Sequence, residues 1–396
     1  METFLARRGS ERCPSDRGQA PVYLDCAATT PIDPRVQEEV LQYLVEEFGN
    51  AGSRTHDYGL RARRAVEKAR ARVAEVVGAT RGEVLFTSGA TESNNLAILG
   101  LAAHGLQSGK THLVGTAIEH HAVLEPLRAL ERRGFRLTLL PPNSDGWVEP
   151  ESVRRAVRED TLLVSVMHVN NETGVLQPLP HIAELLEGHS VYLHVDAAQG
   201  FGRELSSLRH PRIDLISVSG HKIHAPKGIG ALITRRRGFA RPPLEPLMHG
   251  GGQERGLRPG TLPVHLIAAL GKAAELALAE SEQRASLCRD FRRRLLQGLE
   301  PLKIQANGDP SRALTHILNF SVPGLDAESV MEAWRDLVAI SDGAACTSQS
   351  HTCSHVLAAM GLAPERRDGA VRLSWCHASP MPDVEGMVRA VERFRS

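Results

Sequence analysis

The chain has 396 residues, with 47 lysines and arginines against 46 aspartates and glutamates and a formal net charge of +1. Hydrophobic residues make up 42% and charged residues 23%, the balance of a folded protein with room for two or three domains, which excludes a disordered chain. A charge this close to zero supplies no field to gather DNA or an anionic membrane surface, and no apolar run reaches the roughly 18 residues a membrane helix needs.

These balances lead us to expect a cytoplasmic protein with no membrane attachment and no bulk DNA binding. Six cysteines (Cys13, Cys26, Cys288, Cys346, Cys353, Cys376) are too few for a disulfide scaffold in so long a chain, and reduced thiols are expected. The first twenty residues are polar, Arg-rich and turn-rich and read as a weakly ordered extension.

From 21 to about 265 the chain repeats one pattern: a short aliphatic or β-branched run, a loop with Gly, Asn or His, then residues at helical spacing. That alternation belongs to an α/β fold with a mainly parallel sheet. Strands are expected at 83–87, 111–116, 135–140, 162–168, 191–195, 213–217 and 229–234, and a helix with one solvated face at 59–77. After the Gly-rich stretch HGGGQERGLRPGT (249–261), one helical stretch over 266–299 leads into a shorter α+β pattern. The expected organisation is therefore a large domain over 21–265, with a seven-stranded, mainly parallel sheet between helices, and a smaller α+β domain over 266–396. In open sheets of this kind ligands bind beyond the carboxyl ends of the strands. The residues just after each apolar run are thus the candidates for chemistry.

The segment EVLFTSGATESNN passes from a strand through Ser-Gly-Ala-Thr into a helix. The N–H groups of such a helix start, with the Thr91 hydroxyl, suit an anion, although a well-capped helix reads the same way. Neither GxGxxG nor GxxxxGK[ST] occurs there, so dinucleotide and Walker-type sites gain no support. Asp196 and Gln199 follow the run VYLHV, and Lys222 follows DLISVSGH. Alone, the acid is a cap and the lysine a surface residue. Together they are the two groups a pyridoxal-phosphate (PLP) enzyme requires, an acid to keep a pyridine nitrogen protonated and a lysine to form a Schiff base. Ser219 and His221, beside that lysine, offer further donors to the phosphate. His120 in TAIEHHAVLE is placed to stack on a flat ring and carry protons, or simply to cap a helix. Asn170 and Asn171 in SVMHVNNETG are amides for a ring oxygen or a carboxylate, or turn formers.

These residues sit in longer blocks: YLDCAATTP, FGNAGS, FTSGATESNN, EHHAVLE, MHVNNETG, HVDAAQ, SGHKIHAPKGIGAL, HGGGQERGLRPGTLPVH, GAACTSQS and VRLS. In this order they resemble the class V, fold-type I PLP enzymes of the NifS/IscS cysteine desulfurase family, over nearly everything after residue 20. The resemblance implies that Lys222 bonds the cofactor, Asp196 pairs with its ring nitrogen, Gln199 contacts its phenolic oxygen beside Asn171, and His120 stacks over it. It assigns the phosphate to Ala90, Thr91, Ser219 and His221, with Thr261 reaching the phosphate of a second subunit, hence a homodimer. It assigns the substrate carboxylate to Arg372 with Asn171, and sulfur transfer to Cys346, with a persulfide passed to an acceptor protein. The surroundings of Cys346, SDGAACTSQSHTC, are small and polar, as a mobile surface loop requires.

Two stretches depart from the common wording of that family. Cys26 stands inside YLDCAATTP, where a packed small hydrophobe is one reading. After Arg372 the chain reads LSWCHASP where the housekeeping relatives carry a glycine and a second arginine. The wording as a whole resembles the DndA branch, which serves DNA phosphorothioation, so the implied acceptor is a phosphorothioation protein or an iron–sulfur scaffold. Selenocysteine lyase and PLP aminotransferase share the same cofactor residues. A metal protein is the rival of a different class, but HTCSH (351–355) has ligand residues at a spacing unlike the usual C-x₂₋₄-C pairs, and no metal is expected.

Overall fold

The computed structural model describes residues 20–342 and 354–395. All but the last residue of the expected extension over 1–20, and the Cys346 assignment, lie outside them.

The chain enters through β1 (Val22–Tyr23) and the helices α1 (Pro34–Leu41) and α2 (Asp57–Val76). Alternating strands and helices follow: β2 (Val84–Thr87), α3 (Ala90–Leu99), α4 (Ala102–Ser108), β3 (His112–Thr116), α5 (His121–Glu131), β4 (Arg136–Leu140), α6 (Pro150–Ala156) and β5 (Thr161–Met167). Then come α7 (Leu179–Leu185), β6 (Tyr192–Asp196), β7 (Leu215–Ser219) and β8 (Gly230–Thr234). These seven strands, β2 to β8, form one sheet in the order β2-β8-β7-β6-β5-β3-β4. Only β8 runs against its neighbours, while the β7-β6, β6-β5, β5-β3 and β3-β4 pairs are parallel. The carboxyl ends of β2, β3, β5, β6 and β7 therefore share one edge of the sheet. Most of these strands are buried along their whole length, as parallel strands covered on both faces must be.

Each expected strand of the sheet is present, with ends shifted by up to two residues. The expected helix over 266–299 is two helices, α8 (Val264–Ala279) and α9 (Ser281–Leu299), broken at Glu280 with φ −108° and ψ 12°. The break has a tertiary cause: the Glu280 carboxylate accepts from Arg284 Nη2 at 2.8 Å and from Arg35 Nη2 at 3.1 Å. Helix α8 buries its apolar face, Ile267, Leu270 and Ala274 among it, in the core of the large sheet.

Helix α9 turns to a second core built on an antiparallel sheet, β12-β13-β10-β9. Its strands are β9 (Gln305–Ala306), β10 (Ile317–Ser321), β12 (Ser341–Asp342) and β13 (Ala370–Ser374), with β11 (Val338–Ala339) beside them. Helices α10 (Ala327–Trp334) and α13 (Val384–Arg395) cover this core, while α11 (His355–Ala359) and α12 (Pro364–Asp368) lead into β13. Leu24 lies in this second core with Trp334 and Trp375, and β1 pairs in parallel with β11. The amino-terminal strand is thus packed with residues more than three hundred positions later. Immediately after it, the chain crosses to the edge of the large sheet. Among the described residues, no helix is long and apolar enough to cross a membrane.

Candidate active site

A cleft of about 460 Å³ opens at the edge where the parallel strands end, within the size range of sites for small organic cofactors. It is lined by Ala90, Thr91, His120, Asn171, Asp196, Gln199, Ser219, His221 and Lys222, with Arg372 joining from the second core. These residues come from five separate strand ends of the large sheet and one strand of the small one, and the sheet order brings them together. Thr261 is exposed and does not line the cleft. Its segment passes nearby, because Arg258 Nε donates to Glu92 Oε1 at 3.0 Å at the start of α3.

Asp196 ends β6 and is 4% exposed. Its Oδ2 accepts from Asn94 Nδ2 at 2.8 Å, and its Oδ1 accepts from the Ala198 N–H at 3.0 Å. Lys222 follows β7, the neighbouring strand, and its Nζ donates to the carbonyls of Ala27 at 2.5 Å and Ala28 at 2.8 Å. Gln199 Nε2 donates to that same Ala27 carbonyl at 2.9 Å, while its Oε1 accepts from Arg203 Nη1 at 3.2 Å. The AATT stretch, fixed from behind by the pairing of Asp25 with Ser374, is therefore the fourth wall of the cleft.

At the opposite end, α3 begins at Ala90 after Gly89, whose φ of 156° follows the tight exit from β2. A side chain at Gly230 would meet the Gly89 backbone at 2.6 Å, so β8 and this turn touch through glycine alone. The first N–H groups of a helix have no partner inside it. Here they lie beside Thr91, Ser219 and His221, as an anion requires. Glu92 is turned away and ties the turn down by accepting from the Ser88 N–H at 2.7 Å.

His120 caps α5, its Nδ1 accepting from the Ala122 N–H at 3.0 Å. Burial lowers its pKa below the usual imidazole value, with Lys222 adding to the effect and Asp196 opposing it. His221 is lowered to about 4 by burial and by Lys222 and Lys227. Both rings are neutral at neutral pH. Asn171 faces the cleft, but Asn170 does not: its Oδ1 accepts from the N–H groups of Glu172 and Thr173, each at 2.9 Å. For Asn170 the turn-forming alternative is the one observed.

Arg372 is 2% exposed on β13, an inner strand of the small sheet. Its Nη1 donates to the Asn171 carbonyl at 2.9 Å and its Nη2 to Asp25 Oδ1 at 2.8 Å. Four participants have no signal of their own in the sequence. Asn94 reads as a helix interior, Asp25 as part of a turn, Glu119 as one more surface acid, and Ala27 contributes only its carbonyl. Glu119 is fully buried behind His120, and burial, with the Asp196 charge adding to it, pushes its pKa up to about 8.

The cleft fits the cofactor that the sequence resemblance implies. It has a buried, ionisable acid held by an amide at one end, an anion cradle at the other, and an amine between neighbouring strand ends. The Asn94 Oδ1, buried at the same place, has no hydrogen-bond partner among the described residues.

A family model for class-V aminotransferases matches residues 22–387. The chain is similar to the cysteine desulfurase IscS of Salmonella arizonae, at 46% identity over 357 residues, 89% of this chain and 87% of that protein. It is similar to the cysteine desulfurase IscS of Vibrio cholerae serotype O1, at 44% identity over 383 residues, 95% of this chain and 94% of that protein. Among solved structures, DndA from Streptomyces lividans superposes with a TM-score of 0.79 at 51% identity, covering 89% of this chain and 99% of that one.

Proposed function

The chain belongs to the class-V aminotransferase family and is a PLP-dependent cysteine desulfurase, and from that premise we propose what each residue of the cleft does. Asp196 holds the pyridine nitrogen in its protonated form, with Asn94 fixing the carboxylate that faces it. The first turn of α3, with Ala90, Thr91, Ser219 and His221, holds the phosphate. Gln199 holds the phenolic oxygen and His120 covers the ring. PLP supplies, when bound, an electrophilic carbon for an amine and a sink for the electrons of the substrate's α-carbon.

Arg372 and Asn171 clamp the L-cysteine carboxylate, the guanidinium in its bidentate fashion. Lys222, the amine that would hold the cofactor, carries the α-proton. The Cys346 thiolate attacks the substrate sulfur: an S–S bond forms, the substrate C–S bond breaks, and His120 delivers or accepts the proton. L-cysteine and the Cys346 thiol thereby give L-alanine and a Cys346 persulfide, with no added oxidant or reductant. The observation that carries this reading is that Lys222 and Asp196 end adjacent parallel strands in one cleft with Arg372.

Cys346→Ala is expected to keep the yellow chromophore and lose alanine formation from L-cysteine; alanine at the wild-type rate would remove the cysteine's role. Lys222→Ala is expected to abolish turnover. A selenocysteine lyase would prefer selenocysteine when both amino acids are offered, and an aminotransferase would consume a keto acid without needing Cys346.

We also propose a cytoplasmic homodimer in which Thr261 completes the phosphate site of the second subunit. Exposed apolar side chains support an unmet surface, among them Phe48 at 68% and Val45 at 65%. For the acceptor, the 51% identity to DndA favours a DNA phosphorothioation protein over an iron–sulfur scaffold. Labelled persulfide moving to a scaffold and never to a phosphorothioation protein would reverse that choice.

A further inference from the structure

A second cavity, of about 60 Å³, lies where the two cores meet, with room for a few water-sized bodies. Its walls include Arg203 and His224 from the large core and Cys288, His316, Cys376 and His377 from the small one. One ligand atom from each of His224, Cys376 and His377 lies within 4.8 Å of the other two. The rings of His224 and His377 meet edge to face, with centroids 5.0 Å apart and planes at 73°.

Three further features mark a built site. His224 Nδ1 lies 3.0 Å from the Pro31 carbonyl, the outer contact that fixes a metal-bound histidine and leaves its Nε2 for the ion. His224 holds this position at a φ of +71°, a conformation that costs energy for any residue but glycine. His316, 4% exposed in the same cavity, has an Nε2 with no hydrogen-bond partner among the described residues. Two groups also stabilise a thiolate at Cys376. Ser379 Oγ donates to its sulfur at 3.6 Å, and the Cys26 thiol shares a hydrogen bond with it.

We propose that His224, Cys376 and His377 form a binding site for a zinc-type cation that clamps the two cores together behind the catalytic lysine. Two imidazoles and a thiolate are the donors a borderline d¹⁰ ion selects. The charged groups at the cavity are Arg203 and Arg284. Arg284 is paired with Glu280 and Asp33, so the positive charge left facing the ion is that of Arg203, which the Cys376 thiolate offsets. His224 follows Lys222 by two positions, and Cys26 precedes the alanine whose carbonyl accepts from Lys222. An ion held by His224 fixes the backbone two positions after that amine.

The test titrates Co²⁺, then Zn²⁺, into reduced, full-length holoenzyme. One Co²⁺ per chain is expected, with d–d bands in the red, clear of the cofactor's own absorption, and displaced by Zn²⁺. Cys376→Ser and His377→Ala are each expected to weaken binding at least tenfold, and Zn²⁺ is expected to raise the thermal midpoint of the wild type but not of His377→Ala. The cofactor chromophore and circular dichroism of His377→Ala report that it folds. A double variant, Cys346→Ala with Cys353→Ala, is expected to bind as the wild type does. No red bands, or bands that survive both single substitutions and vanish in the double variant, would overturn the proposal.

Discussion

Asn94 donates to Asp196 Oδ2 across 2.8 Å in the buried floor of the cleft, so a residue in the interior of α3 sets the orientation of an acid at the end of β6. The other oxygen, Oδ1, accepts from the Ala198 N–H, so both oxygens of the carboxylate are held in place. A hydrogen bond to a buried charged group contributes roughly 1.5–3 kcal/mol, about a ten- to hundred-fold effect. Asn94→Ala is therefore expected to lower kcat by about that factor and to weaken cofactor retention. Turnover with saturating added cofactor, compared with turnover after dialysis, separates the two effects. An unchanged kcat in both would show that the amide does not act through Asp196.

Arg372 reaches the cleft already bound to Asp25, at 2.8 Å, and that contact holds its guanidinium plane in place. Arg372→Ala is expected to raise KM for L-cysteine by about ten- to hundred-fold, the loss of one charge-assisted clamp. Arg372→Lys restores the charge but not the two-pronged geometry and is expected to rescue little. Asp25→Asn keeps a hydrogen-bond acceptor and is expected to produce a smaller rise. Steady-state kinetics of the three variants give the order; Arg372→Lys matching the wild type would remove the bidentate role.

The contrast between Asp196 and Asn94 shows why part of the site was legible in the sequence and part was not. Asp196, Lys222, His120 and Asn171 each follow an apolar run, and in a parallel sheet such positions share one edge. Arg372 lies mid-strand in a different sheet, so only its place in a longer resembling block pointed to it. Asn94 and Glu119 act across the fold on partners 102 and 48 residues away, and nothing local marks them. The same holds for the helix over 266–299: no glycine or proline stands at Glu280, because its break is held by Arg35, 245 positions upstream. The cavity trio of His224, Cys376 and His377 is split between two cores, beyond any spacing rule for metal ligands.

Glu119 carries a pH dependence of stability with a definite sign. Its folded pKa of about 8 lies above the ordinary value of 4.5, so between those values the folded chain binds more protons than the unfolded one. Its contribution is most favourable below about pH 4.5, declines as pH rises, and levels off above about pH 8. Oε1 accepts from Thr116 Oγ1 at 2.8 Å and the Met167 N–H at 2.7 Å, contacts that an amide oxygen can keep. Glu119→Gln is expected to remove the decline and to be more stable than wild type above pH 8 by roughly a few kcal/mol. Thermal unfolding of both proteins across this range is the check. Glu172, raised to about 7, is common to both and cancels in the difference. Parallel profiles would mean that Glu119 is ionised in the folded protein.

His120 combines two duties that substitution can separate. Its Nδ1 accepts from the Ala122 N–H at the start of α5, which leaves the other ring nitrogen to carry a proton in the cleft. His120→Ala loses both duties and is expected to cost about 1 kcal/mol in stability, the contribution of a helix cap, as well as activity. His120→Asn restores a good cap without an ionisable ring, so its thermal midpoint is expected to return towards wild type. Turnover of both variants is expected to fall by about a hundred- to ten-thousand-fold, the scale of a lost general acid–base group. Thermal melts and alanine formation measured on the same preparations give the answer. Were His120→Asn to regain wild-type turnover along with its stability, the ring would be a cap and nothing more.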